Sequence, residues 1–225
     1  MNVFVTGASG HIGANLVREL IRLKRPVRAF IHEDTRGVQG LDIDIVKGDI
    51  LDYTGLVKAM KDCDVVYHLA AVLEERSQKL FAVNVNGTEN MIEAAAKQHC
   101  KQFIYLSTAG VHGHCPKAVD ESCPFRPLTP YEQSKARAEQ VVQEFQEMVP
   151  ITVIRSALVL GPNRYWKRIV EYIKKRGPLI GSGKQYWQII YVDDLVDALL
   201  FVLGKRECFG ETFIVAEQEK HSLKD

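Results

Sequence analysis

Tyr131 and Lys135 are the residues best spaced for chemistry. In Tyr131-Glu132-Gln133-Ser134-Lys135 they stand at i and i+4, so both project from one face of a helix. A tyrosine hydroxyl titrates at about 10 and is a poor proton shuttle at neutral pH, but an ammonium beside it stabilises the phenolate and brings the value down. Upstream, Tyr105-Leu106-Ser107-Thr108-Ala109-Gly110-Val111-His112-Gly113 ends an apolar run in two hydroxyls, either of which can hydrogen-bond an oxygen reacting beside Tyr131. At the amino end, Thr6-Gly7-Ala8-Ser9-Gly10-His11-Ile12-Gly13 follows one apolar run and opens an amphipathic one. Gly7 permits a tight turn, Gly10 a close approach to a pyrophosphate and Gly13 close helix–strand packing. The N–H groups of the helix start then face the anion. Gly7, Ser9, Gly10, His11, Ile12 and Gly13 are the candidate dinucleotide contacts.

A turn of this kind calls for an acid at the end of the second strand, about 20 residues on, to receive the adenosine ribose hydroxyls. Ile31 holds that position in Ile31-His32-Glu33-Asp34. Arg28, His32 and Arg36 offer positive charge for a 2′-phosphate, which tilts the cofactor from NAD toward NADP. The alternative has Glu33 or Asp34 take the acid's role, with the arginines as solvated surface. Gly48-Asp49-Ile50 is placed to meet the adenine edge, and Asp49 serves equally as a turn former.

These groups need a scaffold, and the apolar patterning supplies one. Val3–Val5, Val27–Ile31, Ile43–Val46, Val65–Leu69, Phe103–Leu106 and Ile151–Ile154 read as buried parallel strands. Ala14–Leu23, Thr54–Met60, Val85–Gln98 and Tyr131–Met148 read as the helical crossovers between them. The alternation predicts an α/β fold of the Rossmann type, a doubly wound parallel sheet, with a flavodoxin-like sheet as the alternative. After Gly161 the rhythm changes to a helix over Tyr165–Arg176, glycine-rich turns at Gly177–Pro178 and Gly181–Gly183, a strand over Trp187–Val192 and a helix over Asp193–Leu203. The expected division is a dinucleotide-binding domain over 1–160, with 189–204 packing back onto it, and a small, truncated C-terminal substrate lobe from 161–188 and 205–225.

Composition narrows the partners. With 46% apolar and 25% charged residues the chain is a packed globular protein, and a net charge of +1 offers no excess to attract nucleic acid. Cys63, Cys100, Cys115, Cys123 and Cys208 are odd in number and never in a C-x-x-C pair, so neither disulfides nor a metal site is expected. With no membrane-length apolar run and no leader-like segment after Met1, the expected location is the cytoplasm.

In order along the chain, Thr6–Gly13, Gly48-Asp49, His68-Leu69-Ala70-Ala71, Asn84-Val85-Asn86-Gly87-Thr88, Ser107–Gly113, Tyr131/Lys135 and Tyr191-Val192-Asp193-Asp194 closely resemble the extended short-chain dehydrogenase/reductases, the NAD-dependent epimerase/dehydratase family. The resemblance implies Thr108 as the catalytic hydroxyl and Tyr131 as general base, with Lys135 lowering its pKa and fixing the nicotinamide ribose. It also implies Ser107 near the nicotinamide, Leu69, Ala70 and Ala71 lining the dinucleotide cleft, and Asn84 supporting the site. His112 stands where the family commonly has tyrosine, and Arg155-Ser156 where Arg-Pro is usual.

The function so implied is redox chemistry on a nucleotide-sugar, most simply 4-epimerisation. The alternatives are an NADPH-dependent ketone or aldehyde reductase resembling dihydroflavonol reductases, and a non-catalytic dinucleotide sensor. A homodimer through the helices beginning near Val85 and Tyr131 is implied as well. Outside this set, His68 reads as a satisfied core histidine, and His11 and His112 lack converging ligands. Asp193 and Asp194 read as acids at a helix start. Trp166, Tyr172, Tyr186 and Trp187 read as lobe core or pocket lining.

Overall fold

The computed structural model describes residues 1–115, 118–175 and 186–222. In chain order the elements are β1 (Val3–Thr6), α1 (His11–Arg22), β2 (Val27–Ile31), β3 (Asp44–Lys47), α2 (Tyr53–Ala59), β4 (Val65–His68) and α3 (Gly87–Lys97), which is entered through a π-helical turn at Ala82–Asn86. Then come β5 (Gln102–Thr108), leading into a 3-10 turn at Ala109–His112, α4 (Pro130–Glu144), β6 (Ile151–Ser156), β7 (Leu158–Leu160), α5 (Arg164–Lys174), β8 (Tyr186–Tyr191), α6 (Val192–Phe201), β9 (Thr212–Val215) and β10 (Lys220–Ser222).

Seven strands pair in parallel in the order β3-β2-β1-β4-β5-β6-β9. Chain direction across the sheet reverses between β1 and β4, and this order settles the choice for the Rossmann arrangement over the flavodoxin-like one. Continuous apolar runs are what a sheet covered on both faces requires. Val3 and Val5 point into a layer with Leu16 and Leu20 of α1 and Leu195 and Leu199 of α6. Phe4, between them, points into the opposite layer with Leu56 of α2, Met91 and Ile92 of α3 and Val142 of α4.

Several boundaries shift. α1 starts at His11, three residues earlier than the apolar pattern suggests, because the helix begins on the glycine turn itself. α4 ends at Glu144, short of Met148, as Phe145 N–H bonds back to the Val142 carbonyl (3.2 Å) and tightens the last turn. Thr212–Val215 is corrected from the outlying lobe to the main sheet, where it is the seventh strand, beside β6. α6 also returns to the sheet, packing on α1. β7, β8 and β10 form a separate three-stranded sheet. The glycine-rich turns at 177–183 lie outside the described residues. Tyr172, Tyr186 and Trp187 are exposed, so they are not lobe core, whereas Trp166 is half-buried and donates its indole N–H to the Val159 carbonyl (2.8 Å). Among the described residues no helix is long and apolar enough to cross a membrane.

Candidate active site

Thr6, His68, Thr108 and Ser156 end β1, β4, β5 and β6 along one carboxyl edge, and the register puts Thr6 beside His68 and Thr108 beside Ser156. At the β1–β4 switch point the glycine turn approaches the segment after β4 closely. Gly7 has φ +65°, and a Cβ there would lie 2.8 Å from the Ala70 nitrogen. A Cβ on Gly13 would lie 2.2 Å from the Gly7 carbonyl oxygen, so the start of α1 and the turn fit only without side chains. The N-cap of α1, Gly10, brings no capping side chain, which leaves the first-turn N–H groups of His11 and Ile12 to an anion. Buried Ser107 Oγ, which has no hydrogen-bond partner among the described residues, adds a polar atom at the same edge. This cradle suits a dinucleotide pyrophosphate running past the strand ends.

A directed chain of hydrogen bonds fixes the switch point. Thr6 Oγ1 accepts the N–H groups of Leu69 and Ala70 (both 3.2 Å), so its proton goes to His68 Nδ1 (2.8 Å). His68 Nε2 then donates to Thr88 Oγ1 (2.9 Å), whose proton goes to the Asn84 carbonyl (2.7 Å). Each hydroxyl has one proton, so the sequence of bonds assigns His68 as the neutral Nε2–H tautomer. Burial, with the Lys135 charge adding, holds its pKa down at about 3. His68 is a satisfied core residue.

Asn84 lies in the π-helical turn, buried. Its Oδ1 accepts the Val72 N–H (2.7 Å), and its Nδ2 donates to the Val72 carbonyl (3.0 Å) and to Ser134 Oγ (2.9 Å). Ser134 Oγ in turn donates to the Tyr131 carbonyl (2.7 Å). Asn84 thereby ties the cleft-lining strand end to the helix of Tyr131. Insertion of a π turn is a common way to re-aim a side chain at a functional site.

Tyr131 is fixed from the other side by its helix start. Thr129 Oγ1 accepts the Glu132 N–H (3.2 Å), Glu132 Oε2 accepts the Thr129 N–H (3.0 Å), and Pro130 opens the first turn. Thr108 Oγ1 accepts the Gly110 N–H (3.1 Å), which leaves its own proton to donate outward. Lys135 Nζ donates to the Leu106 carbonyl (2.8 Å) and sits 4.1 Å above the Tyr105 ring. In the chain alone, burial dominates both groups. It pushes Tyr131 up to about 12, with Glu132 adding, and brings Lys135 down to about 7 against the opposing charge of Glu139.

The adenosine end differs most from expectation. Arg28, opposite Asp44 in the β2–β3 register, donates to that carboxylate (2.5 Å) and to the carbonyls of Ala59 and Lys61, so it pins the sheet edge. Gly37 backs onto the Ser9 carbonyl and brings Arg36 close to the glycine turn, but Asp34 holds that guanidinium through both carboxylate oxygens (2.8 and 2.6 Å). His32 is exposed between Glu33 and Asp49, 3.7 Å from each. Asp49 accepts the Leu51 N–H as a turn former (2.9 Å). The Ile50 side chain is core against Gly87, and its carbonyl accepts from Asn90 Nδ2 (3.0 Å). His11 Nδ1 accepts from Asn163 Nδ2 (2.8 Å), whose Oδ1 caps α5, so its ring ties the glycine turn to that helix. Burial lowers its pKa and Asp193 opposes the shift. Asp193 and Asp194 do lie in the first turn of α6, without a side-chain cap bond.

Sequence reasoning missed Thr6, Thr88 and Ser134 as partners of site residues. Ser134 was within reach, since it lies inside the Tyr131–Lys135 spacing.

Comparison with known proteins agrees with this geometry. The profile described as the NAD dependent epimerase/dehydratase family matches residues 3–216. "Sterol demethylase protein B" of Methylococcus capsulatus is 34% identical over 72% of the chain and 52% of its own length, so the chain spans about half of that relative. Human dTDP-D-glucose 4,6-dehydratase is 31% identical over 90% of the chain and 65% of its own length. UDP-glucuronic acid 4-epimerase from Bacillus cereus, solved in complex with UDP-glucuronic acid and NAD, superposes with a TM-score of 0.91 at 28% identity, over 100% of this chain and 80% of that one. With that profile matching nearly the whole chain, on a sheet of the order described above, the chain belongs to the NAD-dependent epimerase/dehydratase family.

Proposed function

We propose that this chain is an NAD-dependent enzyme that epimerises a nucleotide-activated sugar, most simply at C4. The observation that carries the reading is the placement of Tyr131 and Lys135, on a helix start locked by its capping box, at the carboxyl edge that ends in Thr108 and continues to the β1–β4 switch point. The glycine turn and the α1 N-terminus would hold the pyrophosphate, and Ser107 with Lys135 the nicotinamide end. A bound nicotinamide dinucleotide supplies a reversible two-electron acceptor. Tyr131 Oη takes the proton of the sugar hydroxyl and returns it after the keto sugar has presented its other face. Thr108 Oγ1 donates a hydrogen bond to the same oxygen. NAD is preferred over NADP, because Asp44 and Asp34 already neutralise the two arginines that a 2′-phosphate would need. The relative solved with NAD and UDP-glucuronic acid supports the choice of cofactor and substrate class.

The test is incubation of the purified chain with NAD and, in turn, UDP-glucose, UDP-glucuronic acid and dTDP-glucose, with the sugars resolved by chromatography. A new epimer that Tyr131→Phe abolishes is the expected result. NAD binding without conversion of any of the three overturns the reading, and stoichiometric NADPH consumption replaces it with the reductase. Pairing of two chains through α3 and α4 belongs to the same proposal. An open cavity of about 460 Å³ lined by Tyr53, Lys97, Phe145 and exposed Met148 supports that interface, and sedimentation tests it.

A further inference from the structure

Beside the catalytic edge lies a buried cluster of Arg155, Glu139 and His112. Arg155, next to the last residue of β6, and Glu139, on α4, are 3% and 0% exposed. Arg155 Nε and Nη2 donate to Glu139 Oε2 at 3.0 and 2.8 Å, and Nε also reaches Oε1 at 3.2 Å. Its Nη1 donates to His112 Nε2 at 3.1 Å and to the Glu121 carbonyl at 2.9 Å. The guanidinium carbon sits 4.9 Å from the Phe125 ring, and Glu121 Oε1 accepts the Ile214 N–H of β9 at 2.8 Å. Arginine offers no acceptor, so His112 Nε2 must accept and its ring proton sits on Nδ1.

The connections matter more than the number of bonds. A buried ion pair has to offset a large desolvation cost, and apolar replacements of similar volume are often no less stable. Net stability is therefore a weak explanation for it, and geometry is a better one. His112 is in the 3-10 turn that directly follows Thr108. Glu139 is one helical turn beyond Lys135, on the face of α4 that also carries Tyr131. One guanidinium thus bonds the segment that carries the catalytic hydroxyl and the helix that carries the proton shuttle.

We propose that Arg155 and Glu139 are positioning residues for the proton shuttle: the pair sets the spacing of Thr108 from Tyr131. The proposal rests on the shuttle role of Tyr131.

The test compares the wild type with Arg155→Lys and with the double variant Glu139→Gln/Arg155→Met, which removes both charges and keeps volume. NAD binding is measured by calorimetry, and kcat and KM for the sugar are taken from the rate of epimer formation. In the double variant NAD affinity and KM stay, and kcat drops about 100-fold through misplacement. Arg155→Lys keeps the charge but not the fork, so its kcat falls while KM holds.

An NAD-binding double variant at full kcat overturns the proposal, and so does Arg155→Lys at full rate. If the double variant fails to bind NAD, Arg155→Lys decides alone. If Tyr131→Phe leaves the rate intact, the shuttle reading fails, and this proposal fails with it.

Discussion

Asn84 gives the sharpest test of how the site is held. Replacing it with alanine removes the three side-chain hydrogen bonds to Val72 N–H, the Val72 carbonyl and Ser134 Oγ. At about 1 kcal/mol each the loss is about 3 kcal/mol. For a chain of this size that lowers Tm by about 6–12 °C. Asn84→Asp keeps the acceptor for Val72 N–H, but turns the donor side into an oxygen facing a carbonyl and a hydroxyl whose proton is already given to Tyr131.

The introduced carboxyl must then be protonated to bond, and burial raises its folded pKa above the unfolded value of about 3.9. A raised folded pKa gives stability that is present at low pH and lost as pH rises through that folded value, by roughly 1.4 kcal/mol per unit. Urea unfolding at about pH 5 and about pH 8 reads it: Asn84→Asp should exceed Asn84→Ala in stability at the lower pH and fall below it at the higher. A Tm change under about 3 °C for Asn84→Ala, or no pH dependence in Asn84→Asp, refutes the clamp.

His68 is held at about 3 when folded and titrates at about 6.5 when unfolded. Its depressed value gives stability that is present above the unfolded pKa and lost as pH falls, by up to about 1.4 kcal/mol per unit; His68→Asn should remove that part of the acid slope in urea titrations, and equal slopes would contradict the assignment. Thr108→Ala should slow epimer formation about 100-fold in single-turnover assays, as loss of one donor to a reacting oxygen does, while Ser107→Ala changes NAD affinity more than rate. The reverse pattern would exchange their roles. Arg36→Ala should leave the ratio of NAD to NADP affinity within about twofold in calorimetry, because Asp34 already holds the guanidinium; a large shift would return Arg36 to the phosphate-binding role.

Much of the sheet was legible because a parallel strand covered on both faces has to be apolar throughout, as Val3–Val5 and Phe103–Leu106 are. The glycine turn was legible for a related reason: the approach of Gly7 to Ala70 excludes every other side chain. β9 was missed because a four-residue run beside Gly210 looks like a turn until β6 is there to pair with it. The tilt toward NADP was read without the register, since nothing in the linear order says that Arg28 lies across from Asp44. Glu139 was invisible for the opposite reason. In Lys135-Ala136-Arg137-Ala138-Glu139 it reads as one more solvated helix charge, and only the placement of β6 shows it to be fully buried against Arg155. Asn84 was read as support for the site, but its reach to Ser134 depends on a π-helical turn that no spacing rule for an ordinary helix anticipates.

Burial also explains why the chain by itself is a poor base. With Tyr131 at about 12, its phenolate lies roughly 7 kcal/mol above the phenol at neutral pH. Moving Lys135 Nζ from the Leu106 carbonyl to the Tyr131 oxygen would supply one charge-assisted hydrogen bond, worth about 1.5–3 kcal/mol, and half the lysines are neutral near pH 7 at the outset. That is less than half of what is required. A positive charge beyond Lys135 is then needed beside Tyr131, and the buried guanidinium of Arg155 is already paired with Glu139. In the proposed enzyme the nicotinamide charge would supply the rest, which would couple proton abstraction to cofactor occupancy.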